Sequence, residues 1–293
     1  MCDITIIDSD SIIKIVLLSD ISGGHIMKKF SALVASVALV SLLFGCSDIA
    51  EDENDGILQE ESRAAQSSFV KYTQANEICT YTYQGYNGGQ KGPIIVTQGT
   101  LDNGWTSTNV YLITLSGTEI IENQSTGYLT DALSGFNQKS KYYTNVVNVI
   151  ERNIPKNSNL ILAGHSLGGM IAQQVSADNT IKADYNVMNV VTFGSPLLSA
   201  GSREGTVRRL GDQSDLVPYM SGSLVNNTVW AIAGLNRENG GYGMNAYAAH
   251  TESYLRSDEW GAYDVTGKKH GTATLTLNLN TQRYFKSPVS VKN

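Results

Sequence analysis

The chain has 293 residues, of which 41% are apolar, and a formal net charge of −6 at neutral pH. This length accommodates one or two domains, and the apolar fraction is sufficient for a globular core. The acidic balance offers no basic surface of the kind that binds nucleic acid, so we expect no nucleic-acid partner. The 4 His and 3 Cys are scattered without metal-ligand spacing, and we expect no metal site.

The N-terminal residues are predicted to direct export rather than to fold. Met27-Lys28-Lys29 is a short basic segment, and an apolar stretch follows over 30–44. This stretch is shorter than a transmembrane span and has the organisation of a secretory signal peptide. We therefore assign 27–45 as the signal peptide, and we expect 1–26, upstream of it, to be untranslated or a leader extension.

The end of this signal, Leu43-Phe44-Gly45-Cys46, resembles the lipobox of bacterial lipoproteins. The resemblance implies that Cys46 is acylated and holds the protein to a membrane of the bacterial cell envelope, on its periplasmic side or at the cell surface. A plain secretory signal with an unrelated cysteine is the alternative. The polar, acidic segment 46–68 is predicted to be a flexible tether, and 69–293 to be one folded domain.

The pattern from Phe69 onward alternates predicted strands with helices. Predicted strands lie at 78–83, 93–97, 110–115, 160–163, 187–193, 206–210 and 228–233, and an edge strand is predicted at 272–280. An amphipathic helix is predicted over 142–152, with Val146, Val147 and Ile150 on one face. Cys79 is expected to be a small buried residue in the first strand. This order predicts one α/β domain with a mostly parallel central sheet flanked by helices.

The stretch around Ser166 has the pattern of a nucleophile elbow. A short apolar run ends in Gly164-His165-Ser166-Leu167-Gly168, and helical spacing begins at Leu167. The tight turn is expected to hold Ser166 in strained dihedrals and to require the two glycines for close approach of strand and helix. The backbone N–H of Leu167 is then a candidate oxyanion-hole donor. His165 is expected to pack or hydrogen-bond beside the elbow rather than to act as the base.

A serine nucleophile requires a general base and an acid that orients it. Two histidines follow Ser166, and we favour His250 over His270 because His270 lies in a basic, glycine-flanked turn. In the chain order of α/β-hydrolases the acid falls between serine and histidine. Asp215, at the head of Asp-Leu-Val-Pro, is favoured over Asp212, which is expected to cap a turn.

Several of these motifs together resemble the class 3 (fungal-type) lipases of the α/β-hydrolase fold, over roughly 78–255. They are the motifs GHSLGG at 164–169, VTFGSP at 191–196, DLVP at 215–218, and His250 followed by Tyr254. The resemblance implies the triad Ser166, Asp215 and His250. It also implies that Thr118 of Ser116-Gly117-Thr118 is the second oxyanion-hole donor and that 119–131 is a lid, for which an ordinary surface loop is the alternative. Gly99 and Thr100, in a segment similar to the oxyanion loop of other α/β-hydrolases, are the alternative donors.

The function that the resemblance implies is a cofactor-independent serine hydrolase of carboxylic esters. Its substrates would be acyl lipids, as in a triacylglycerol lipase or a phospholipase A1, and the membrane would be reached through lipidated Cys46. Two alternatives stay open: an esterase or acyltransferase for small soluble esters, and a catalytically inactive binding lipoprotein. The sequence leaves the oligomeric state open.

Overall fold

The computed structural model describes residues 68–117, 141–197, 202–219 and 235–287. The predicted signal peptide, the lipidation site at Cys46 and nearly all of the predicted tether lie outside these ranges. So do the predicted lid and the predicted strand at 228–233. Within the described ranges, no helix is both long enough and apolar enough to cross a membrane.

Nine strands and six helices make up the described part of the chain. The strands are β1 (Phe69–Tyr72), β2 (Ile94–Asp102), β3 (Ser107–Leu115), β4 (Asn159–His165), β5 (Asn186–Phe193), β6 (Thr206–Asp212), β7 (Leu235–Glu238), β8 (Thr274–Asn278) and β9 (Arg283–Phe285). The helices are α1 (Ala75–Tyr83), α2 (Lys141–Asn153), α3 (Leu167–Ser176), α4 (Asn179–Asp184), α5 (Ala246–Glu252) and α6 (Ser257–Trp260). Short 3₁₀ turns occupy Val217–Tyr219, Ser253–Leu255 and Leu279–Thr281.

All nine strands form one sheet, in the order β1-β8-β2-β3-β4-β5-β6-β7, with β9 paired to β2. The strands from β3 to β7 are parallel to one another. An antiparallel flank adjoins this core: β2 pairs with β3, both β8 and β9 pair with β2, and β1 pairs with β8. The prediction of a sheet with a parallel centre and helices on its faces, as in an α/β-hydrolase-like domain, is confirmed.

The core lies on both faces of this sheet because side chains alternate along each strand. Ile94 and Leu162 face the cluster that contains the apolar residues of α2 and α3. Ile95 and Ile161, one position away, face the cluster that contains α1 and Trp260. Each face of the parallel core is therefore buried, as the continuous apolar runs of its strands require.

The strand predicted at 78–83 is wrong, because these residues belong to helix α1. The helix begins with a capping box. The Gln74 side chain accepts a hydrogen bond from the Glu77 N–H, and the Glu77 side chain accepts one from the Gln74 N–H. Ile78, Cys79 and Tyr81 are fully or almost fully buried on the helix face that packs on the sheet. Cys79 is a buried free thiol as predicted, but in a helix, and burial raises its pKa well above the ordinary value.

Two strand assignments in the antiparallel flank also need correction. Strand β2 does not stop at Thr97 but continues to Asp102, where a hairpin leads into β3. Strand β8 is not an edge strand, because β1 covers its outer side along four residue pairs. The outer edge of the flank is instead β1, a strand that the sequence pattern did not indicate.

Candidate active site

The turn between β4 and α3 has the geometry of a nucleophile elbow. Ser166 has φ 55° and ψ −125°, a left-handed conformation that costs a side-chain-bearing residue about 1–3 kcal/mol. A Cβ on Gly164 would lie 2.5 Å from the backbone of Gly168, and a Cβ on Gly168 would overlap the carbonyl of Leu115. The two glycines thus allow α3 to pack directly against β4 and β3, as the sequence pattern indicated.

The carboxyl ends of the parallel strands meet at one edge of the sheet, which is where α/β folds bind ligands. Gly117 follows β3, Ser166 follows β4, Gly194 follows β5 and Asp215 lies just after β6. Backbone hydrogen bonds hold these ends together: Ser166 N–H donates to the Phe193 carbonyl at 2.9 Å. The fold therefore brings residues from four separate sequence motifs to one place.

Asp215 and His250 form a buried pair at this edge. The distance from His250 Nδ1 to Asp215 Oδ2 is 2.9 Å, and neither residue is exposed. The Tyr254 hydroxyl donates to the same Oδ2 at 2.6 Å, and the Val217 N–H donates to Oδ1 at 2.9 Å. An ionised carboxylate only accepts hydrogen bonds, so Nδ1 of His250 carries a proton and Nε2 is the basic nitrogen.

Asp212, the other aspartate after β6, has a supporting position. Its carboxylate accepts from the N–H groups of Ser214 at 2.6 Å and Gly240 at 3.1 Å, so it caps the turn as expected. Its own N–H donates to the Tyr254 hydroxyl at 3.1 Å, which orients that hydroxyl toward Asp215.

Glu259 lies beside Asp212. Burial, and then the adjacent Asp212, raise the pKa of Glu259 to about 8.

The His250 ring packs beside the elbow. Its centroid is 4.7 Å from that of His165, the residue before Ser166. Gly194 fits between the pair and the sheet: a Cβ there would be 2.8 Å from Asp215 Oδ2 and 3.0 Å from His250 Nδ1. Ser166 is buried but 8% exposed, whereas Asp215 and His250 are 0% exposed.

Of the two predicted oxyanion-hole donors, the structure describes Leu167 but not Thr118. Leu167 is the first residue of α3, and an N–H in the first turn has no carbonyl partner within its helix. Thr118 lies outside the described residues, and its role stays a prediction. Gly117 before it packs against Ser166, since a Cβ at this position would lie 2.9 Å from Ser166 Cβ.

The alternative donors, Gly99 and Thr100, do not lie near Ser166. They are interior residues of β2, where they pair with Val110 and Asn109 of β3. Together with Asn159 they line an open pocket of about 450 Å³ at the edge where β4 begins, opposite the elbow. Because β2 is antiparallel to β3, its carboxyl end points away from the site, and the assignment of these residues to the oxyanion hole is wrong.

The remaining histidines occupy the positions expected from the sequence. His270 is exposed, in a turn where its φ is 55°, and the fold does not bring it to the elbow. His165 is buried beside the elbow, where it contacts Tyr86 and Tyr83. In the described part of the chain no group of three or more His, Cys, Asp or Glu is placed to hold a metal ion.

The sequence did not indicate three residues that contact the site. Tyr83 and Tyr86 contact His165, and Gly194 packs beside His250. Tyr86 is 79 residues from His165 in the chain, and no local pattern indicates contacts over such a separation. For Tyr254 the resemblance supplied an aromatic residue after the base but not its hydrogen bond to the acid.

Comparisons with known proteins agree with this architecture. Residues 108–236 match the family described as the PGAP1-like alpha/beta domain. The matched range contains Ser166 and Asp215 and ends before His250. No curated protein and no solved structure matches the chain. The segment that carries the elbow and the acid is thus similar to a PGAP1-like alpha/beta domain, of the superfamily of lipase- and esterase-type α/β-hydrolases.

Proposed function

We propose that this protein is a serine carboxylester hydrolase that acts on acyl lipids, as a triacylglycerol lipase or a phospholipase A1 does. The observation that carries the proposal is the buried Asp215–His250 pair beside the strained Ser166, at the carboxyl edge of a parallel sheet. The match to a lipase- and esterase-type domain supports the reaction class. The motifs that resemble class 3 lipases support a lipid substrate.

In the proposed reaction the Ser166 hydroxyl attacks the ester carbonyl while Nε2 of His250 accepts its proton. The tetrahedral oxyanion is held by the N–H groups of Leu167 and Thr118, each such donor being worth about 3–4 kcal/mol. His250 then protonates the departing alcohol oxygen, which leaves an acyl group on Ser166. Water then attacks this ester with His250 as base. His250 returns the proton to the Ser166 oxygen as the bond to the acyl group breaks, which releases the fatty acid and regenerates the serine.

Asp215 has two roles in this scheme. Its contact with Nδ1 fixes the tautomer in which Nε2 is basic, and its charge stabilises the imidazolium that forms in the transition state. The Tyr254 hydroxyl and the Val217 N–H add two further hydrogen bonds to the buried carboxylate, one to each oxygen. A buried charge with these partners avoids the large desolvation cost of an isolated one.

The proposed site of action is the bacterial cell envelope. Acylation of Cys46 would hold the hydrolase close to membrane lipids, and the acidic segment 46–68 would separate the domain from the membrane surface. Incubation of cells with labelled palmitate tests this proposal: label on the wild type and none on Cys46→Ser is expected. Equal labelling of both chains would contradict the anchor.

The reaction is tested with the full-length chain, purified in detergent, on p-nitrophenyl esters of increasing acyl length, on emulsified triacylglycerol and on phospholipid vesicles. We expect Ser166→Ala to lower kcat by about 10³-fold or more. Ser158→Ala, at the other end of β4, is the matched control and should keep wild-type activity.

The same assays separate the candidate substrates. A preference for long acyl chains supports the lipid substrate, and a preference for short ones would favour an esterase of soluble esters. Inactivity on every ester would instead favour a binding lipoprotein.

A further inference from the structure

A chain of hydrogen bonds runs beneath Ser166 and connects the two sides of the site. The Gly117 N–H donates to the Tyr86 hydroxyl at 2.7 Å, and this hydroxyl is also 2.7 Å from His165 Nδ1. At the other side of the same ring, Nε2 is 2.9 Å from the main-chain carbonyl of His250. One buried imidazole thus links the backbone after β3 to the backbone of the proposed base.

The direction of each bond follows from chemistry. A carbonyl oxygen only accepts, so His165 Nε2 carries the proton and donates to His250. Nδ1 is then the acceptor, and the Tyr86 O–H donates to it. The Tyr86 oxygen in turn accepts the Gly117 N–H. The three bonds are compatible with one tautomer of His165, which is the neutral Nε2–H form.

The surroundings of His165 keep its ring neutral and fixed. The ring is 2% exposed, and burial, followed by the proximity of His250, lowers its pKa well below the ordinary value. The Tyr83 hydroxyl lies 3.2 Å from Nε2 and donates to the Thr251 carbonyl at 2.9 Å. The Tyr83 and Tyr86 rings pack at 4.8 and 5.8 Å from that of His165. A neutral ring here does not oppose the positive charge that His250 acquires.

We propose that Tyr86 and His165 are positioning residues, which set the spacing between the oxyanion-hole backbone and the base on either side of Ser166. The inference rests on the proposed function and deepens it. Gly117 precedes the predicted donor Thr118, so a shift of Gly117 is transmitted to that N–H. A Cβ on Gly117 would lie 2.7 Å from the Tyr86 hydroxyl and 2.9 Å from Ser166 Cβ, so Gly117 packs closely against both residues.

The proposal requires an effect on turnover rather than on substrate binding. The oxyanion donors and the base interact most strongly with the transition state, so their misalignment lowers kcat and leaves KM nearly unchanged. We expect Tyr86→Phe, which keeps the ring and removes the hydroxyl, to lower kcat about 10- to 100-fold. KM should stay within about twofold.

The matched control is Tyr81→Phe, on helix α1, a few residues before Tyr86. Tyr81 is almost fully buried, and its hydroxyl bonds to Thr97 at 2.6 Å and to Gln282 at 2.8 Å, away from the site. It should lose stability but keep kcat within about twofold. If Tyr86→Phe matches this control in kcat, or if only KM changes, the inference is overturned.

Substitutions of His165 separate the two ends of the connection. The amide nitrogen of His165→Gln replaces Nε2 and donates to His250, whereas the amide oxygen of His165→Asn replaces Nδ1 and accepts from Tyr86. His165→Phe has neither group. We expect Gln and Asn each to retain more kcat than Phe, by about fivefold or more, at comparable melting temperatures. Equal kcat in all three variants would contradict a positioning role.

The tautomer gives a readout that does not depend on turnover. Long-range ¹H–¹⁵N NMR of histidine-labelled protein should show His165 as the neutral Nε2–H form, and an Nδ1–H form would overturn the inference. An active wild type with an unaffected Tyr86→Phe overturns this inference alone. A wild type that hydrolyses none of the esters overturns the proposed function, and the inference with it.

Discussion

At the scale of single residues, the candidate site depends on the absence of side chains as much as on reactive groups. Gly194 has φ 56°, and a Cβ there would enter the space of the Asp215–His250 pair. Gly117 and Gly168 are restricted in the same way by Ser166 and by the carbonyl of Leu115. Such positions set the spacing of Ser166, Asp215 and His250, although a glycine has no side chain to take part in the proposed chemistry.

Gly194→Ala should therefore reduce activity more than it reduces stability. A methyl group 3.0 Å from His250 Nδ1 displaces the imidazole or the carboxylate, and we expect kcat to fall about 100-fold or more. Gly243→Ala is the matched control, since its φ is 59° but no atom lies within 4 Å of its Cβ. Both variants should lose about 1 kcal/mol of unfolding free energy in urea from backbone strain, and Gly194→Ala should lose somewhat more because of its close contacts. Equal kcat in the two would show that the pair tolerates the methyl group.

The sequence indicated the residues whose signals are local. The elbow can be recognised in the sequence because a strand, two glycines and a helix must follow one another. Asp215 can be recognised because it is the first residue of a short motif, DLVP. Gly194 packs beside His250 and Tyr86 bonds to His165, and both contacts join residues far apart in the chain. No local sequence pattern indicates such contacts. The positions of Ser166, Asp215 and His250 could thus be proposed in advance, but not the groups that orient them.

At the scale of elements, helices whose burial follows their periodicity were predictable, and helices rich in β-forming residues were not. α2 occupies Lys141–Asn153, close to the predicted 142–152, because its apolar residues recur at helical spacing. α1 contains Ile, Thr and Tyr, which favour strands, and tertiary packing overrides that preference. The pair Gln74 and Glu77 was the available signal for its start.

Two neighbouring valines of α2 test whether its packing is as directional as the structure shows. Val146 is fully buried in the cluster between α2 and the sheet, and Val147 is only partly buried at its margin. Val146→Ala removes two buried methyl groups and leaves a cavity, so we expect a loss of about 2 kcal/mol of unfolding free energy. Val147→Ala should lose less than about 1 kcal/mol. Similar losses in urea denaturation would contradict this orientation of the helix on the sheet.

At the scale of the whole molecule, the parallel core follows from alternating elements, whereas the antiparallel flank does not. β1 pairs with β8 in a register that joins Phe69 to Asn278, more than two hundred residues along the chain. β8 and β9 then share one edge of β2. No local sequence pattern indicates a pairing between strands at opposite ends of a domain. For this reason the sequence predicted β8 as an edge strand, although β1 pairs with it.

The stability of the whole fold is expected to depend on pH through Glu259. Its side chain is 3% exposed and lies beside the carboxylate of Asp212, so the folded chain keeps the proton up to about pH 8. The unfolded chain releases it near the ordinary value of 4.5. Between these values the folded state binds more protons, and the unfolding free energy falls as pH rises.

Glu259→Gln removes this titration. We expect the variant to be more stable than the wild type by about 1–2 kcal/mol at pH 8.5, after allowance for solvent screening, and the difference to vanish near pH 4. Glu151→Gln, on the exposed side of α2, is the control and should alter stability little at either pH. Urea denaturation at the two pH values measures the difference. A gap that does not change with pH would contradict the assignment.

The position of β1 also determines how the domain responds to tension. A pull on the chain ahead of Phe69 loads β1 first, a four-residue strand whose partner in the described sheet is β8. Detachment of β1 leaves the pairing of β8 with β2 intact, and with it every strand that ends at Ser166, Gly117 or Asp215. We therefore expect β1 to detach first when the chain is pulled ahead of Phe69, while the strands that carry the candidate site remain folded.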